Sequence, residues 1–396
     1  MFDPELPAEY EELRKTVEEF AHAEVAPVIG DYYDRHAFPY PLVAAMGRMG
    51  LFGLPFPEQY GGMGGDYFAL CLALEELARV DSSVAITLEA GVSLGAMPLY
   101  RFGTEEQKER WLPQLCTGEK LGAFGLTEPG GGSDAGATRT RARLDNAAGR
   151  DGEREWVISG SKSFITNSGT DITALVTVTA VTGPTDSADG AGRKEISSII
   201  VPSGTPGFTV ESDYSKVGWC ASDTHGLSFE ECRVPEENLL GERGRGYAQF
   251  LRILDEGRVA IAALSTGLAQ GCVDECVRYA KERVAFGQRI GEYQAIQFKI
   301  ADMETRAHTA RLAYRHAAGL LLAGKPFKKQ ASIAKLVASE AAMDNARAAT
   351  QIFGGYGFMN EYPVARFYRD AKILEIGEGT SEVQRLLIAR DLGLPA

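Results

Sequence analysis

The order of helix-like and strand-like patterns along the chain constrains its fold more than any single motif. Apolar residues recur at helical spacing near the N-terminus, as Leu13, Val17 and Phe20 do, and again beyond residue 238. The region between them contains short strand-like segments. In residues 172–180 apolar side chains alternate mainly with threonine, which predicts a half-buried strand. The pattern predicts an α+β protein in which helices precede and follow a β-domain.

We expect three domains: a helical domain at residues 1–120, an antiparallel β-domain at 121–238 and a helical bundle at 239–396. Thr104 and Gln107 form a predicted capping box for one N-terminal helix. Further strands are predicted at residues 156–159, 198–201 and 208–210, and the turn-rich stretch 183–195 is predicted to be a solvated loop. Long helices are predicted at residues 253–282, 291–324 and 328–355.

The composition excludes several classes of function. A net charge of −13 disfavours nucleic-acid binding, which depends on cationic contacts to phosphate. The sequence lacks an uninterrupted apolar run of membrane-spanning length, and its acidic N-terminus lacks the apolar region of a signal peptide. Six cysteines without a CxxC pair favour a reduced, cytoplasmic compartment. The five histidines lack metal-ligand spacing, so no metal site is predicted.

A single carboxylate, Glu378, lies between two glycines just before a predicted C-terminal helix. Gly377 and Gly379 permit backbone angles that a residue with a Cβ resists. Ser381 and Gln384 are spaced as a capping box, so we expect Glu378 on an irregular turn that leads into a helix N-terminus. Such a turn is a good place to hold an acid against a bound ligand. Read alone, the segment is also typical of a surface-loop glutamate.

Two segments of the middle region have the composition of a ligand-binding surface. In residues 124–134 (FGLTEPGGGSD) three glycines expose backbone N–H groups to an anion or a flat ring, and Thr127 and Ser133 add hydroxyls. In residues 160–169 Phe164 lies two residues from Thr166, a pair suited to cover a ring face and bond its edge. A flexible linker and a strand that runs into an Asn-Ser-Gly turn are the alternative interpretations.

A third group of candidates lies in the C-terminal region. Arg283 has the fork geometry to bind a phosphate oxygen through charge-assisted hydrogen bonds. The glycines of residues 351–358 (QIFGGYGF) permit close approach of a large ligand. The same glycines are also typical of a helix C-cap.

Together these segments resemble the acyl-CoA dehydrogenase family, FAD enzymes that desaturate acyl-CoA thioesters. Five motifs occur in the family's order, and the resemblance covers nearly the whole chain. It implies a helical N-terminal domain, a middle antiparallel β-barrel and a C-terminal four-helix bundle. It also implies FAD as cofactor, acyl-CoA as substrate, electron-transferring flavoprotein as electron acceptor and a homotetramer arranged as a dimer of dimers.

The resemblance also implies a role for individual residues. Glu378 matches the base that removes the α-proton while the β-hydrogen leaves as hydride to flavin N5, giving the trans-2-enoyl-CoA. Its backbone N–H and a ribityl hydroxyl polarise the thioester carbonyl in that family. Substrate contacts are implied for Ser133, Asp255, Arg258, Gly377 and Gly379. FAD contacts are implied for Phe124, Leu126, Thr127, Gly132, Ser133, Phe164, Thr166, Arg283, Phe286, Gln294, Gln351, Gly354, Gly355, Thr380 and Glu382. Among these, Arg283, Gln294 and residues 351–355 match positions that reach the FAD of a neighbouring subunit.

Two positions differ from many members of the family. Some members carry the base at the position of Gly257, which has no side chain here, and the neighbouring Glu256 would point about 100° away on a helix. Many straight-chain members have tyrosine where this chain has Gly377, whereas isovaleryl-type enzymes resemble it in having glycine. The missing ring favours a pocket for short branched acyl groups, unless another side chain fills the space.

Two other functions stay open at this point. An acyl-CoA oxidase would pass electrons to oxygen, but many such oxidases carry an extra C-terminal domain that this sequence does not show. A non-catalytic flavin-binding scaffold would have no need of the acid at Glu378.

Overall fold

The first part of the chain is helical, as the apolar spacing predicted. The computed structural model describes residues 6–145, 154–183 and 194–395. The N-terminal helices are α1 (Ala8–Phe20), α2 (Ile29–Asp34), α3 (Tyr40–Arg48), α4 (Tyr67–Val80), α5 (Ser82–Glu89), α6 (Met97–Phe102) and α7 (Glu105–Cys116). Thr104 and Gln107 cap α7 reciprocally, so the predicted capping box is confirmed.

The stretch Ser82–Phe102 has the length and hydropathy of a membrane span, in contrast to the rest of the described chain. However, 94% of that window is buried inside the protein. A π-helical segment, Ala90–Ala96, interrupts it between α5 and α6. The stretch is therefore a helix of the protein core, and its interruption is of the kind that often marks a functional site.

The middle region folds into one mixed sheet. Its strands are β1 (Leu121–Gly125), β2 (Arg141–Asp145), β3 (Glu155–Thr166), β4 (Thr173–Gly183), β5 (Glu195–Pro202), β6 (Phe208–Asp213), β7 (Thr224–Pro235) and β8 (Leu239–Leu240). They pair in the order β6-β7-β3-β2-β4-β5-β8, with β1 also on β4. The three short predicted strands lie within β3, β5 and β6 and are confirmed. Of the predicted loop 183–195, residues 184–193 lie outside the described residues.

The predicted antiparallel barrel is not confirmed. β1 and β2 both run parallel to β4, whereas the other neighbours are antiparallel. Among the described residues the path of pairing runs from β6 to β8 without closing. β8 is only two residues long and pairs with β5 alone, so it offers little edge for a further strand.

The strand predicted to be half-buried, β4, is buried on both faces. Val176, Val178 and Ala180 face the sheet's own apolar core, as the alternation predicted. Thr177 and Thr179 on the opposite face are nevertheless fully buried. The prediction was wrong because this face is covered: Leu175 packs into the core of the helices, and the Thr179 hydroxyl accepts a hydrogen bond from Lys162.

Helices return after the sheet, and the last of the expected bundle helices is broken. The elements are α8 (Gly246–Glu282), the hairpin of β9 (Val284–Ala285) and β10 (Gln288–Arg289), α9 (Gln294–Leu322), α10 (Lys328–Phe353), α11 (Pro363–Leu374) and α12 (Ser381–Asp391). The three long predicted helices are confirmed. Instead of a fourth long helix, the described residues form α11 and α12, both packed against α10. The break between them is the turn that carries Glu378.

The two helical regions share one apolar core. α8 packs against α4 on one side and against α10 on the other. The sheet has its own core around Trp156, Ile158 and Phe229. All six cysteines are buried free thiols, and two of them, Cys272 and Cys276, lie one turn apart on α8. The central part of α8 is packed between the two helical regions, and its Gly257 lies against the Glu378 carboxyl.

Candidate active site

Glu378 lies on the turn between α11 and α12, as the flanking glycines predicted. α11 ends at Leu374 and α12 begins at Ser381. Glu378 has a φ of 51° and Gly379 a φ of 94°, so two consecutive residues adopt left-handed backbone angles. For a residue with a Cβ this conformation costs on the order of 1–3 kcal/mol. The surrounding contacts must therefore hold Glu378 in place.

The capping box predicted for α12 is wrong in its partners. The N-cap is Thr380, whose hydroxyl accepts a hydrogen bond from the backbone N–H three residues on, at 3.3 Å. Ser381 is already the first helical residue, so the helix starts one residue earlier than the box requires. The Gln384 side chain instead donates to the backbone oxygens of Gly379 at 2.9 Å and Glu378 at 3.3 Å. This amide ties the turn to the helix.

The carboxyl group of Glu378 points at α8. Both of its oxygens are buried, although the residue as a whole is half-buried. A Cβ built on Gly257 would lie 2.3 Å from Oε2 of Glu378, far inside contact distance. Glu256 is engaged elsewhere, because Arg101 donates to its carboxylate at 3.0 Å. As predicted, α8 contributes a glycine and no rival base at this point.

A second buried carboxyl, which the sequence reasoning missed, lies against Glu378. Glu89 ends α5 just before the π-helical segment and is fully buried. In the described part of the chain, no N–H or O–H donor completes a hydrogen bond to the carboxyl oxygens of this pair. The two carboxyl groups are close enough for their protonation to be coupled, and the Ser93 side chain also acts on Glu89. The sequence does contain a signal for Glu89, because it is the one charged residue in the apolar stretch 82–100.

Burial decides how this pair ionises. Loss of solvent raises the pKa of Glu378 to about 7, and Arg258, Glu89 and Lys335 offset part of that rise. Burial, and then the neighbouring Glu378 carboxylate, raise the pKa of Glu89 well above its usual value. Glu89 therefore keeps the proton and donates it in a hydrogen bond, while Glu378 ionises close to neutral pH.

The two predicted substrate residues of α8 come together beside this pair. Asp255 and Arg258 lie one turn apart and form an ion pair. Lys328 approaches the other Asp255 oxygen at 3.3 Å. Arg258 is 4% exposed, so solvent screens its charge little and the charge acts strongly on its neighbours. With Gly257 between them, these residues form the α8 side of the site.

A buried ion pair, also missed from sequence, fixes the glycine-rich segment. The Glu128 carboxylate accepts hydrogen bonds from the backbone of Arg139 at 2.8 Å, from that of Thr140 at 3.0 Å and from Lys162 Nζ at 2.8 Å. Lys162 is 1% exposed. These bonds close the loop at its base and leave residues 132–134 exposed above it.

The predicted ring-binding residues of the middle region share one surface. The Ser163 N–H donates to the Thr127 oxygen at 2.9 Å, which places the glycine-rich segment beside the end of β3. Phe164 has a φ of 63°, and its side chain is 66% exposed, with the Tyr214 ring 5.2 Å away between ring centroids. Thr166 is half-buried at the end of β3. An aromatic ring held out in water at a strained backbone angle fits a surface that a flat ligand covers.

Two of the predicted cofactor residues have buried side chains. The Phe124 ring stacks on Phe250 with centroids 3.8 Å apart, and Leu126 is 9% exposed. The Leu126 oxygen accepts a hydrogen bond from Lys162. Their side chains belong to the core, which leaves the backbone as the part that a ligand can meet.

A separate set of predicted residues lies at the other end of α10. Arg283, Gly354 and Gly355 line a cavity of about 530 Å³. Phe286 is 98% exposed on the hairpin turn between β9 and β10, and Gln294 at the start of α9 is exposed. Gly354 also ends α10 with a φ of 61°, so the C-cap interpretation of these glycines holds too.

This second set is far from Glu378 within one chain. Lys335, which contacts the Glu378 turn, and Phe353, which lines the cavity, are both on α10. Eighteen residues separate them, which amounts to roughly 27 Å of helix. Gln351 is exposed near the cavity end. Thr380 and Glu382, in contrast, lie at the start of α12 and belong with the Glu378 turn.

His225 in the sheet region lies against two carboxylates, Asp213 and Asp223, a cluster that the spacing of histidines along the sequence does not show. His225 Nε2 lies 2.7 Å from Asp213 and 2.8 Å from Asp223, and its Nδ1 lies 2.7 Å from the Glu211 backbone oxygen. The hydrogen bond with Asp223 is the main cause that raises the pKa of His225. With acceptors at both ring nitrogens, the imidazole is a charged donor rather than a metal ligand.

The chain matches known proteins over most of its length. The N-terminal, middle and C-terminal domain models of acyl-CoA dehydrogenases match residues 7–119, 123–232 and 244–393. An acyl-CoA dehydrogenase of Bacillus subtilis (strain 168) is 45% identical over 381 residues, which cover 96% of this chain and 97% of that protein. The mitochondrial short-chain specific acyl-CoA dehydrogenase of Mus musculus is 43% identical over 388 residues, covering 98% and 91%.

Solved structures of acyl-CoA dehydrogenases also superpose on nearly the whole of this chain. Butyryl-CoA dehydrogenase from Megasphaera elsdenii superposes with a TM-score of 0.92 at 41% identity, covering 99% of this chain and 100% of that one. A chain described with the electron transferring flavoprotein of Acidaminococcus fermentans gives 0.92 at 42%, covering 99% of each. An acyl-CoA dehydrogenase from Bacillus anthracis complexed with FAD gives 0.90 at 34%, covering 99% and 68%.

The family models and the similar proteins define the class of this chain, an FAD-dependent oxidoreductase. The chain belongs to the acyl-CoA dehydrogenase family.

Proposed function

We propose that this protein converts short acyl-CoA thioesters to trans-2-enoyl-CoA, with Glu378 as the base that takes the α-proton. One observation carries the proposal: Glu378 directs a buried carboxyl at Gly257 of α8, beside a second buried carboxyl, and burial raises its pKa to about 7. A general base works best with a pKa near the operating pH. The relatives named for short-chain and butyryl substrates support a short acyl group.

Proton removal needs help from the carbonyl side as well. An acyl α-hydrogen is a weak acid, so negative charge that develops on the thioester oxygen has to be stabilised. Within the described residues the backbone N–H of Glu378 has no acceptor, so it is free to donate to that oxygen. Arg258 and Lys335 keep the pKa of Glu378 from rising further, so that its carboxylate is populated near neutral pH.

The middle region fits the cofactor of the family. FAD, when bound, supplies the acceptor for the hydrogen that leaves the β-carbon with its electron pair. Phe164 offers a ring face, while Thr127 and Thr166 offer hydroxyls on the same surface. Gly132 and Ser133 are exposed beside them. The Lys162–Glu128 pair holds this loop in shape, so that its backbone donors are oriented before a ligand arrives.

The space directly next to Gly377 is open. Within 4 Å, a Cβ added to this residue would meet only the Ile373 backbone oxygen, at 3.4 Å. This favours the branched-substrate hypothesis over its alternative. We expect isobutyryl-, 2-methylbutyryl- or isovaleryl-CoA to be accepted at least as well as butyryl-CoA. A kcat/KM clearly higher for butyryl-CoA than for all three would contradict it.

The second set of residues points to an assembly. Arg283, Gly354 and Gly355 are too far from Glu378 to serve the same FAD within one chain, and Phe286 is almost fully exposed. We propose that they contact the FAD of a neighbouring subunit in a homotetramer. We also propose domain limits at residues 120 and 238 and a cytoplasmic location. We propose electron-transferring flavoprotein as the electron acceptor, which the similarity to the chain described with such a flavoprotein supports.

Anaerobic mixing tests the function directly. The FAD-loaded protein should lose its flavin absorbance within seconds on addition of a short acyl-CoA, and the electrons should then pass to electron-transferring flavoprotein. Absence of bleaching across the straight and branched panel would refute dehydrogenase activity. Rapid peroxide formation in air without a protein acceptor would instead identify an oxidase.

A further inference from the structure

A buried cation lies under the turn of the base. Lys335 is on α10, and its residue is fully buried in the protein. Its Nζ donates to the backbone oxygen of Gly379 at 2.9 Å. The same oxygen accepts the 2.9 Å hydrogen bond from Gln384 on α12. Side chains from two helices, α10 and α12, therefore hold one carbonyl directly after the strained residue Glu378.

We propose that Lys335 is a positioning residue for the base: its ammonium holds the Gly379 carbonyl and thereby fixes the left-handed turn that aims the Glu378 carboxyl. The inference rests on the proposed function of Glu378. It concerns a side chain that makes its hydrogen bond to backbone and acts on the reaction through the turn.

The cost of burying this ammonium supports a role beyond packing. A buried lysine is normally paired with a carboxylate, because a charge without a partner loses its hydration. Lys162, the other fully buried lysine among the described residues, has such a pair in Glu128. In the described residues Lys335 has no carboxylate within ion-pair distance, and its hydrogen bond goes to a backbone oxygen. The buried ammonium of Lys335 therefore binds the backbone of the Glu378 turn in place of a carboxylate.

Glu378 is surrounded by charges from every element packed on it. Glu89 faces it from α5, Arg258 from α8 and Lys335 from α10. Burial lowers the pKa of Lys335, and the carboxylates of Glu375 on the same turn and Glu382 on α12 offset part of that shift and so favour its charged form. Glu89 is protonated, so Arg258 and Lys335 are the two cations that favour the ionised base. Removal of Lys335 should thus loosen the turn and also make the base harder to ionise.

Three holoenzyme variants separate these effects. Lys335→Met removes the donor and the charge. Lys335→Gln keeps a donor without the charge. Lys329→Met is the matched control, since Lys329 lies on the same helix but pairs with Asp391 near the surface. All three should bind FAD, which is checked from the flavin content before any other measurement.

We expect Lys335→Met to slow flavin reduction by saturating acyl-CoA roughly 10- to 100-fold, because a small misplacement of a catalytic group has that effect. The rate should rise with pH at a higher midpoint than in the wild type. Lys335→Gln should recover part of the rate but keep the shifted midpoint. Lys329→Met should match the wild type in both.

Amide hydrogen exchange gives a readout that needs no substrate. In Lys335→Met the amides of residues 377–381 should exchange at least tenfold faster, while those of the sheet stay unchanged. If Lys335→Met does not accumulate as folded protein, Gln384→Leu removes the second donor to the same carbonyl and should show the same faster exchange.

Unchanged exchange in the turn together with an unshifted pH midpoint would overturn the inference, as would an equal loss of rate in Lys329→Met. A wild-type protein that no acyl-CoA reduces would refute the proposed function instead. Even then, the exchange experiment still decides whether Lys335 holds the turn.

Discussion

Two buried charge clusters in this protein differ in how completely they are satisfied. In the sheet region Lys162 and Glu128 neutralise each other, and the backbone of the glycine-rich loop saturates the remaining oxygens. At the junction of the helices, the carboxyl oxygens of Glu378 and Glu89 are buried without a well-formed hydrogen bond from the described residues, although Ser93 lies beside Glu89. A buried pair with all its hydrogen bonds made stabilises the structure, because it fixes a loop. A buried pair that lacks hydrogen-bond donors is suited to catalysis, because its protons can be transferred.

Replacing the base should give the largest effect and separate the two clusters most sharply. Glu378→Gln should lower the rate of flavin reduction by roughly 10³- to 10⁴-fold while ligand binding persists, because general base catalysis is worth about that much. Stopped-flow bleaching and acyl-CoA titration measure the two quantities. Full activity in this variant would remove Glu378 from its role.

The same variant should be more stable than the wild type in alkaline solution. The pKa of Glu378 is raised from 4.5 to about 7, so the wild type loses stability as the pH rises through that interval. Glu378→Gln avoids this loss, which amounts to about 3 kcal/mol for an uncoupled group. Urea unfolding should therefore favour the variant at pH 8 and show little difference at pH 4. A variant less stable than the wild type at pH 8 would contradict the account.

The satisfied pair should behave in the opposite way. Lys162→Met leaves the Glu128 charge buried and should cost about 3 kcal/mol of folding stability, because an uncompensated buried charge is strongly destabilising. FAD retention should fall with it. Arg143→Met is a suitable control, since it breaks an exposed pair with Glu231 on the same sheet and should leave the melting temperature unchanged.

The hydrogen bond between the two carboxyl groups sets the pH profile. In the wild type kcat/KM should rise with pH through about 7 as Glu378 ionises. Glu89→Leu removes the donor, so the pKa of Glu378 should rise and the midpoint should move to higher pH. Glu89→Gln keeps a donor and should hold the midpoint near that of the wild type. Identical profiles for both variants would mean that Glu89 does not touch the base.

The smallest effect on stability is expected in a third charge cluster, which His225 forms with Asp213 and Asp223. The pKa of His225 is raised by its carboxylate partners, chiefly Asp223. The stability that this cluster adds is fully present below the ordinary histidine pKa and is lost as the pH rises through the raised one. His225→Gln should thus remove a pH-dependent contribution of ~1 kcal/mol or less. Denaturant unfolding at several pH values measures it.

Sequence patterns predicted the elements better than their surroundings. Helical spacing and the Thr104 capping box located helices correctly, because these signals are local. Alternation in β4 predicted one buried face, but whether the other face meets water depends on helices far away in sequence. The same holds for Glu89, the one charge in residues 82–100, and for Lys335, the one charge in residues 330–339: only the fold shows that both meet at residue 378. Sheet closure likewise depends on distant strand ends.

The 2.3 Å approach of a Cβ at Gly257 to the Glu378 carboxyl has an evolutionary consequence. Positions 257 and 378 occupy one space, so a larger residue at the first displaces the acid at the second. A lineage that relocates its base from the turn to α8 must therefore change both positions, and either single step passes through an impaired enzyme. The two sites should vary together or not at all, with glycine on one side wherever the acid is on the other.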